Sequence, residues 1–208
     1  MTRRLVALLV APLLAVAACA KAAPPSKPLP PPPAPLQEAV LAGGCFWCME
    51  HDMKGPGVVS VDSGYTGGHV ASPTYGEVTS ETTGHHEAVR VVFDPRKTSY
   101  GFILSRYWKL IDPTDASGQF CDRGPSYAPA VFVADAQQKK IAEETRAEAA
   151  KQLKQGAIRT PILPLGPFWP AESYHRNYAE THGADYRAYR TGCGRDQRLA
   201  QIWGGPAR

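Results

Sequence analysis

The rest of the chain is organised around residues 43–50, Gly43-Gly44-Cys45-Phe46-Trp47-Cys48-Met49-Glu50. An apolar run, 39–42, leads into two glycines that allow backbone angles closed to other residues, and a helix-compatible segment, 46–53, follows. This order predicts a strand, a tight turn and a helix start. A cysteine in the first turn of a helix faces unpaired N–H groups, which favour the thiolate and lower the thiol pKa. Cys45 is therefore a candidate nucleophile, and the competing interpretation is a small buried hydrophobe.

The aromatic residues beside Cys45 have two interpretations. Phe46 and Trp47 are bulky and adjacent to the sulfur, so they are candidates for the walls of an apolar substrate pocket. They are equally compatible with a place in the core.

The first 18 residues have the pattern of an export signal. Arg3 and Arg4 supply positive charge, and residues 5–15 form an apolar stretch too short to span a bilayer comfortably. The following residues 16–19, Val-Ala-Ala-Cys, resemble a bacterial lipobox, which predicts lipidation of Cys19. We therefore expect a protein of the periplasm or cell envelope that is lipid-anchored to a bacterial membrane. Simple signal cleavage near residues 18–20 and an uncleaved membrane helix are the alternatives.

Residues 19–36 are predicted to be a tether. Proline and small residues dominate 23–35, and such a segment stays extended as polyproline II. A spacer between anchor and domain is the simplest interpretation, and a ligand for a proline-reading domain is the alternative. Residues 37–208 have the length and apolar content of one catalytic domain.

The charge of the chain is close to balanced. The formal net charge is +4, with 23 Lys and Arg against 19 Asp and Glu, and loss of Arg3 and Arg4 with the signal lowers it to +2. This balance predicts neither a nucleic-acid partner nor attraction to acidic membranes. We expect a monomer.

The hydrophobic pattern predicts a mixed α/β fold of the α+β class, a single sandwich domain with long functional loops. Predicted strands are 39–42, 58–63, 88–93 and 130–134, and predicted helices are 46–53, 100–110, 136–155 and 174–181. Ser99 and Asp135 are predicted N-caps of two of these helices. The irregular stretches 64–84 and 112–129 are long enough to indicate function.

The first long loop offers a phenol and an acid. Its glycines allow the backbone to fold back, so that Tyr75 and Glu87 can converge. Glu87 opens an otherwise apolar strand, where partial burial would keep it protonated near neutral pH, as a general acid requires. A solvated carboxylate at the strand end is the alternative. His85 and His86 lack the spaced partners of a metal site, so we expect no metal.

The second long loop and the C-terminal region add an acid, a phenol and two thiols. Cys121, Asp122 and Tyr127 lie in the loop. Cys193 stands between two glycines, which predicts a flexible arm that can carry its thiol to another sulfur.

Six motifs in register resemble the A-type peptide methionine sulfoxide reductase family, over residues 41–178. They are Gly44-Cys45-Phe46-Trp47, Gly64-Tyr65-Thr66-Gly67-Gly68, Pro73-Thr74-Tyr75, Thr83-Gly84-His85 with Glu87, Asp112-Pro113-Thr114 and Tyr174-His175. The resemblance implies a thiol-dependent oxidoreductase that reduces methionine-S-sulfoxide, free or in exported proteins. It also implies no bound cofactor and a thioredoxin-like protein as external reductant.

The implied mechanism assigns a role to each conspicuous side chain. Cys45 attacks the sulfoxide sulfur and becomes a sulfenic acid, while Glu87 protonates the oxygen. The hydroxyls of Tyr75 and Tyr127 hold that oxygen. Asp122 positions the substrate. A thiolate and a carboxylate at close range raise each other's pKa, so the two titrations are expected to be coupled.

The substrate methyl group has its own implied pocket. The resemblance places it against Phe46 and Trp47.

Two departures from the family pattern add thiols near the predicted site. Cys48 stands where the family more often has glycine, and Cys121 lies in a Gln-Phe-Cys-Asp segment that replaces the commoner Gln-Gly-Asn-Asp. The family commonly keeps its resolving thiol near the C-terminus, which ranks Cys193 first, Cys48 second and Cys121 third.

Three other functions remain open. The Cys45/Cys48 spacing also fits a thiol-disulfide oxidoreductase. A structural zinc site formed by the cysteines would need paired spacing that Cys121 and Cys193 lack. A binding module that uses only the aromatic groove would keep full activity after Cys45→Ser.

Overall fold

The computed structural model describes residues 25–205. The predicted signal, 1–18, and the predicted lipidation site, Cys19, lie outside these residues. Within them, no helix has the length and apolar character needed to cross a membrane.

A six-stranded sheet with helices packed against it makes this a mixed α/β domain, as predicted. Its strands are β1 (Gln37–Ala42), β2 (Val58–Thr66), β3 (His86–Phe93), β6 (Ala130–Val133), β7 (Ile162–Pro164) and β8 (Trp169–Pro170). The spatial order is β7-β6-β1-β3-β2-β8, and only the β6/β7 pair is parallel. Two short strands, β4 (Gly118–Gln119) and β5 (Asp122–Arg123), form a separate hairpin.

Seven α-helices surround the sheet in the described part of the chain. They are α1 (Phe46–Met53), α2 (Tyr75–Thr79), α3 (Tyr100–Lys109), α4 (Ala136–Gln152), α5 (Tyr178–Thr181), α6 (Gly183–Gly192) and α7 (Arg195–Trp203). The predicted caps are confirmed, because Ser99 accepts a hydrogen bond from the N–H of Phe102 and Asp135 accepts one from Gln138. These side chains fix where α3 and α4 begin.

The main core lies between one face of the sheet and helices α1 and α3. Leu41 and Val91 of the central strands pack there with Met49, Ile103 and Leu104, all fully buried. Burial of these side chains supplies the hydrophobic free energy that fixes α1 against the sheet. The opposite face carries a smaller cluster around Val40, Ala42 and Phe132.

The proline-rich segment contacts the domain, which its composition did not predict. The N–H of Leu29 donates to the carbonyl of Phe168 over 2.9 Å, and Leu29 packs on the smaller cluster. The Arg90 guanidinium donates to the Pro30 carbonyl over 2.8 Å. Ser26 and Ser72 hydroxyls are 3.1 Å apart. The described part of the segment therefore lies on the domain instead of extending from it as a free spacer.

The C-terminal region corrects the prediction of a flexible arm. Residues 183–203 form α6 and α7, and Cys193 lies at the break between them. The Arg195 side chain, 1 % exposed, donates to the carbonyls of Gly43 and Leu110. A buried guanidinium bonded to two elements of the domain holds this region in place.

The predicted helix 174–181 is also interrupted. Residues Ser173–His175 form a 3₁₀ turn, and Asn177, with φ of 53°, separates it from α5. The Asn177 N–H donates to the buried carboxylate of Glu50, which stabilises this break.

Candidate active site

The Gly43-Gly44 turn brings α1 onto the sheet through very close backbone contacts. A Cβ atom on Gly43 would lie 2.6 Å from Sδ of Met49, and one on Gly44 would lie 2.5 Å from Cβ of Gln119. Gly44 also has φ of +78°, in the left-handed region. Both glycines are thus required by geometry, and Cys45 follows as the N-cap of α1.

The two cysteines of this turn form a buried hydrogen-bonded pair. Cys45 is 6 % exposed and Cys48 is 2 % exposed. The Cys45 thiol donates to the Cys48 sulfur. Burial, this hydrogen bond and the Glu87 carboxyl raise the pKa of Cys45. The same hydrogen bond lowers the pKa of Cys48 to about 7, and the nearby Arg195 acts in the same direction.

This result corrects the expectation that the helix N-terminus lowers the pKa of Cys45. The N–H of Cys45 donates to the Asp122 carboxylate, and the N–H of Phe46 donates to Oε2 of Glu87 over 2.9 Å. Two acids therefore take the backbone donors that would have stabilised a Cys45 thiolate. Of the two thiols, Cys48 is therefore the one whose ionisation its surroundings favour.

Glu87 lies on β3 directly below the start of α1. It is 2 % exposed, and burial raises its pKa to about 8, against the lowering effect of the Phe46 N–H. The carboxyl is therefore mostly protonated at neutral pH. A buried neutral acid beside a thiol is the arrangement that proton donation to a bound substrate requires.

Three tyrosine hydroxyls surround these groups. Tyr127 donates to the Tyr75 oxygen, and burial raises the pKa of both phenols. Tyr189 of α6 donates to Oδ2 of Asp122 over 2.6 Å and also forms a hydrogen bond with the Cys45 thiol. Burial raises the pKa of Asp122, whereas the hydrogen bond from Tyr189 opposes that rise. The site thus contains neutral phenols as hydrogen-bond donors.

Aromatic rings enclose the mouth of the site. The Phe46 ring is 5.1 Å from His175 and 6.4 Å from Tyr75 between centroids. Trp47 stacks on Tyr178 at 3.7 Å, and its indole N–H donates to Nδ1 of His175 over 3.2 Å. These contacts hold both side chains in place next to Cys45.

His175 has a second nitrogen that faces no partner among residues 25–205. Because Nδ1 accepts from Trp47, Nε2 carries the proton of the neutral ring, and it is buried without a hydrogen-bond acceptor in this part of the chain. Burial lowers the pKa of His175, which keeps the ring neutral.

The two remaining cysteines are joined to each other. Cys121, at the exposed tip of the β4–β5 hairpin, forms a disulfide with Cys193. The predicted order of resolving thiols, Cys193 before Cys48 and Cys121, stays a prediction; in the structure Cys193 is bonded to Cys121, and Cys48 is the thiol beside Cys45. Asp122 adjoins the disulfide, since its carboxylate lies within 4.8 Å of both sulfurs.

The paired histidines of the first loop have structural contacts. His85 accepts from the Gly68 N–H through Nδ1, and its Nε2 lies 2.7 Å from the Val70 carbonyl. Nδ1 of His86 is 2.9 Å from the Ala128 carbonyl. Both rings are therefore held by backbone groups of loops around the site.

Two residues of the site, Tyr189 and Glu172, were not predicted from the sequence. Tyr189 lies four residues before Cys193, a helical spacing that would have placed both at one end of a helix had α6 been predicted. Glu172 was missed because it lies in a turn, yet it accepts from the Tyr65 hydroxyl and the Tyr75 N–H, each over 2.8 Å. It therefore positions the backbone of Tyr75.

Comparisons with known proteins agree with this geometry. Residues 37–206 match the family described as peptide methionine sulfoxide reductase. The chain is 60 % identical over 204 residues to peptide methionine sulfoxide reductase MsrA 2 of Caulobacter vibrioides, covering 98 % of this chain and 100 % of the relative. It is 49 % identical over 168 residues to the MsrA of Bacillus licheniformis, covering 80 % and 93 % of the two chains. The solved methionine sulfoxide reductase A of Corynebacterium diphtheriae is similar with a TM-score of 0.65 and 29 % identity, covering 73 % of this chain and 77 % of that one.

Proposed function

The chain belongs to the peptide methionine sulfoxide reductase family, and from this premise we propose that it reduces the S epimer of methionine sulfoxide through a sulfenic acid on Cys45. Membership of the family makes it an oxidoreductase that reduces methionine sulfoxide and repairs oxidised proteins. Its specificity for the S epimer, its sulfenic acid mechanism and its export to the cell envelope are proposals.

The main support for this mechanism is the buried cluster of Cys45, Cys48 and Glu87. A sulfoxide sulfur is a weak electrophile until its oxygen is protonated or strongly hydrogen-bonded. Glu87, with a pKa of about 8, holds that proton at neutral pH. Cys48, with a pKa of about 7, is the base that accepts the proton of Cys45 through their hydrogen bond. The cluster therefore supplies both the nucleophile and the acid.

The first half-reaction transfers the sulfoxide oxygen to Cys45. The Cys45 sulfur bonds to the sulfoxide sulfur as Glu87 transfers its proton to the oxygen. The hydroxyl group then moves from the substrate sulfur to the Cys45 sulfur as the bond between the two sulfurs breaks. Its electron pair stays with methionine, which leaves as the reduced thioether, and Cys45 becomes a sulfenic acid. Tyr75 and Tyr127 donate hydrogen bonds to the oxygen while charge builds on it.

Substrate orientation rests on the aromatic walls and one acid. Phe46, packed on His175, and Trp47, stacked on Tyr178, receive the methyl group, and the selectivity for one epimer requires a pocket of one handedness. Asp122, half-buried beside Cys45, accepts from the substrate or orders the Cys45 backbone.

The second half-reaction closes a disulfide. The Cys48 sulfur attacks the Cys45 sulfenic sulfur, and water leaves with the hydroxyl oxygen. Cys48 takes this role before Cys193, because Cys48 is in contact with Cys45 whereas Cys193 is bonded to Cys121. A thioredoxin-like dithiol protein then restores the thiols, so no bound cofactor is needed.

The decisive experiment offers the domain each sulfoxide epimer with dithiothreitol and counts the methionine formed. We expect turnover of the S epimer and at most traces with the R epimer. Cys45→Ser should abolish turnover of both. Equal rates with the two epimers would refute the proposed handedness of the pocket, and turnover by Cys45→Ser would refute the nucleophile.

Export is supported only by the N-terminal sequence. Charged, apolar and lipobox-like segments precede Cys19 and predict a lipid-anchored protein of the bacterial cell envelope. Outside the cytoplasm thiols tend towards disulfides, so recycling would need a thioredoxin-like domain that reaches that compartment. Labelled fatty acid on wild type and none on Cys19→Ala would support the anchor. Recovery of all wild-type protein in the cytosol would contradict export.

The Cys45/Cys48 contact keeps a thiol-disulfide oxidoreductase as a second candidate. That activity would require Cys48 and would ignore free methionine sulfoxide. Reduction of insulin disulfides at a rate matching methionine formation would favour it.

A further inference from the structure

The proline-rich segment binds the domain at two places that both lead to Tyr75. The hydroxyls of Ser26 and Ser72 are 3.1 Å apart, and Ser72 stands three residues before Tyr75. The N–H of Leu29 donates to the carbonyl of Phe168 over 2.9 Å. A tether that only spanned the distance between an anchor and the domain would need neither contact.

We propose that residues 26–30, which we call the strap, hold Tyr75 where its hydroxyl reaches the sulfoxide oxygen. This inference rests on the proposed function, which assigns that hydrogen bond to Tyr75. Ser26 and Leu29 are then positioning residues, because they act through the domain residues they contact and not on the substrate.

The first connection runs through the backbone of Ser72. Ser72 has φ of 52°, in the left-handed region that residues other than glycine rarely adopt. Surrounding contacts must hold such a conformation, and the hydrogen bond with Ser26 is one of them. Pro73, which is buried, and the N-cap Thr74 follow directly. The conformation of Ser72 therefore sets where α2 begins, and Tyr75 is its first residue.

Tyr75 is firmly joined to that helix start. The Thr74 side chain accepts from the N–H of Glu77, and the Glu77 carboxylate accepts from the N–H of Thr74 over 2.8 Å. This reciprocal pair is a capping box, which fixes the first turn of α2. A shift of Ser72 would thus carry Tyr75 with it.

The second connection runs through Phe168 to Glu172. Phe168 is 5 % exposed and packs with Leu29 in the smaller cluster. Its ring also lies on the backbone of β2, where a Cβ on Gly64 would be 2.6 Å from it. Four residues further on, Glu172 accepts a hydrogen bond of 2.8 Å from the N–H of Tyr75. The strap therefore holds the segment that holds the Tyr75 backbone.

A buried cation fixes the end of the strap. The Arg90 guanidinium, on β3, donates to the Pro30 carbonyl over 2.8 Å and to the Glu38 carboxylate over 2.6 Å. Arg90 is 6 % exposed, so its position is set by the core of the sheet. A charge-assisted donor of this kind gives the strap a fixed point next to Leu29.

The competing explanation is a strap that only covers the smaller cluster and stabilises the domain. The full-length protein distinguishes the two through Ser26→Ala, which removes the contact to Ser72 and leaves the apolar contacts of Leu29 in place. We expect kcat for methionine-S-sulfoxide to fall about three- to tenfold, as for the loss of one hydrogen bond. KM should change little, because the contact with Tyr75 strengthens in the transition state.

Two further variants of the strap complete the comparison. Ser26→Thr keeps the hydroxyl and should restore kcat to near the wild-type value. Lys27→Ala is the matched control, since Lys27 is an exposed residue of the same strap, and it should leave kcat unchanged. Urea unfolding of each variant reports any change in stability separately.

A double-mutant cycle with Tyr75→Phe tests whether the strap acts through Tyr75. In that background Ser26→Ala should cause no further loss of kcat, because the hydroxyl that the strap positions is already absent. A strap that only stabilises the domain would lower kcat by the same factor in both backgrounds.

The outcomes separate the strap from the underlying function. Wild-type kcat in Ser26→Ala, or an equal loss in both backgrounds, would overturn the positioning role and leave the reductase function standing. No methionine from the wild-type protein would refute the proposed function and the role of the strap with it.

Discussion

The backbone N–H of Phe46 donates a hydrogen bond of 2.9 Å to the carboxyl group of Glu87. The residue after the nucleophile therefore holds the acid in place, so that nucleophile and acid share one rigid support. The hydrogen bond lowers the pKa of Glu87, but burial outweighs it and the pKa remains at about 8.

Glu87→Gln should slow the first half-reaction by about 100-fold or more, the usual contribution of a general acid. The amide keeps the hydrogen bond from Phe46 but has no proton to give. In wild type, single-turnover kcat/KM should fall as the pH rises through about 8, because Glu87 loses its proton there. The variant should lack this alkaline limb. A wild-type rate at pH 7 would exclude the acid role.

The same substitution should alter the pH dependence of stability. A carboxyl whose pKa rises from 4.5 to about 8 on folding binds its proton more tightly in the folded state. Its contribution to the free energy of unfolding is therefore complete below pH 4.5 and is lost as the pH rises towards 8. Urea unfolding at pH 5 and pH 8 should show a smaller loss for Glu87→Gln than for wild type. Equal losses would contradict the burial of an ionising carboxyl.

Cys48→Ser should remove the acid limb of the single-turnover profile. With Cys48 as the base, wild-type rate rises through a pH of about 7, and serine cannot accept the proton in this range. Absorbance of the reduced enzyme at the thiolate band should titrate near pH 7 in wild type and not in the variant. A thiolate near pH 7 that persists in Cys48→Ser would assign it to another cysteine.

Tyr189→Phe should lower kcat/KM by about tenfold, and it should also reduce the free energy of unfolding by about 1.5–3 kcal/mol. The hydroxyl donates to Asp122 over 2.6 Å and contacts the Cys45 thiol, and a hydrogen bond to a charged group contributes about 1.5–3 kcal/mol. The loss should appear in kcat/KM for the S epimer. Tyr174→Phe, at an exposed ring, is the control and should have little effect.

Gly44→Ala should reduce the free energy of unfolding by about 1–3 kcal/mol, because a side chain is strained at positive φ. The new Cβ would also lie 2.5 Å from Cβ of Gln119. Gly166→Ala is the matched control, since nothing lies within 4 Å of its Cβ position and its φ is not positive. Urea denaturation compares the two, and equal stability would show that the turn relaxes easily.

The parts of the fold that depend on neighbouring residues were predictable from the sequence. Helix α1 begins and ends where the apolar pattern after Gly44 predicted, and Ser99 and Asp135 cap α3 and α4 as expected. These features follow from local backbone geometry and from side chains within three residues of the helix start.

The parts that depend on distant residues were not predictable. The Cys121–Cys193 disulfide joins positions 72 residues apart, and α6 and α7 are polar helices fixed by the buried Arg195. The pKa of Cys45 was predicted with the wrong direction for the same reason. Burial of the thiol is the main cause, and the N–H groups at its helix N-terminus donate to Glu87 and Asp122, which the chain supplies from two other elements.

The contact between Ser26 and Ser72 limits how far the active site could lie from a lipid on Cys19. Ser26 is seven residue steps from Cys19, and a fully extended chain of seven steps spans at most about 25 Å. Ser72 is three residues before Tyr75 of the site. A lipid on Cys19 would therefore hold the loop with Ser72 and Tyr75 close to the bilayer surface. The search for oxidised methionine would then be nearly two-dimensional and would favour substrates at the membrane surface.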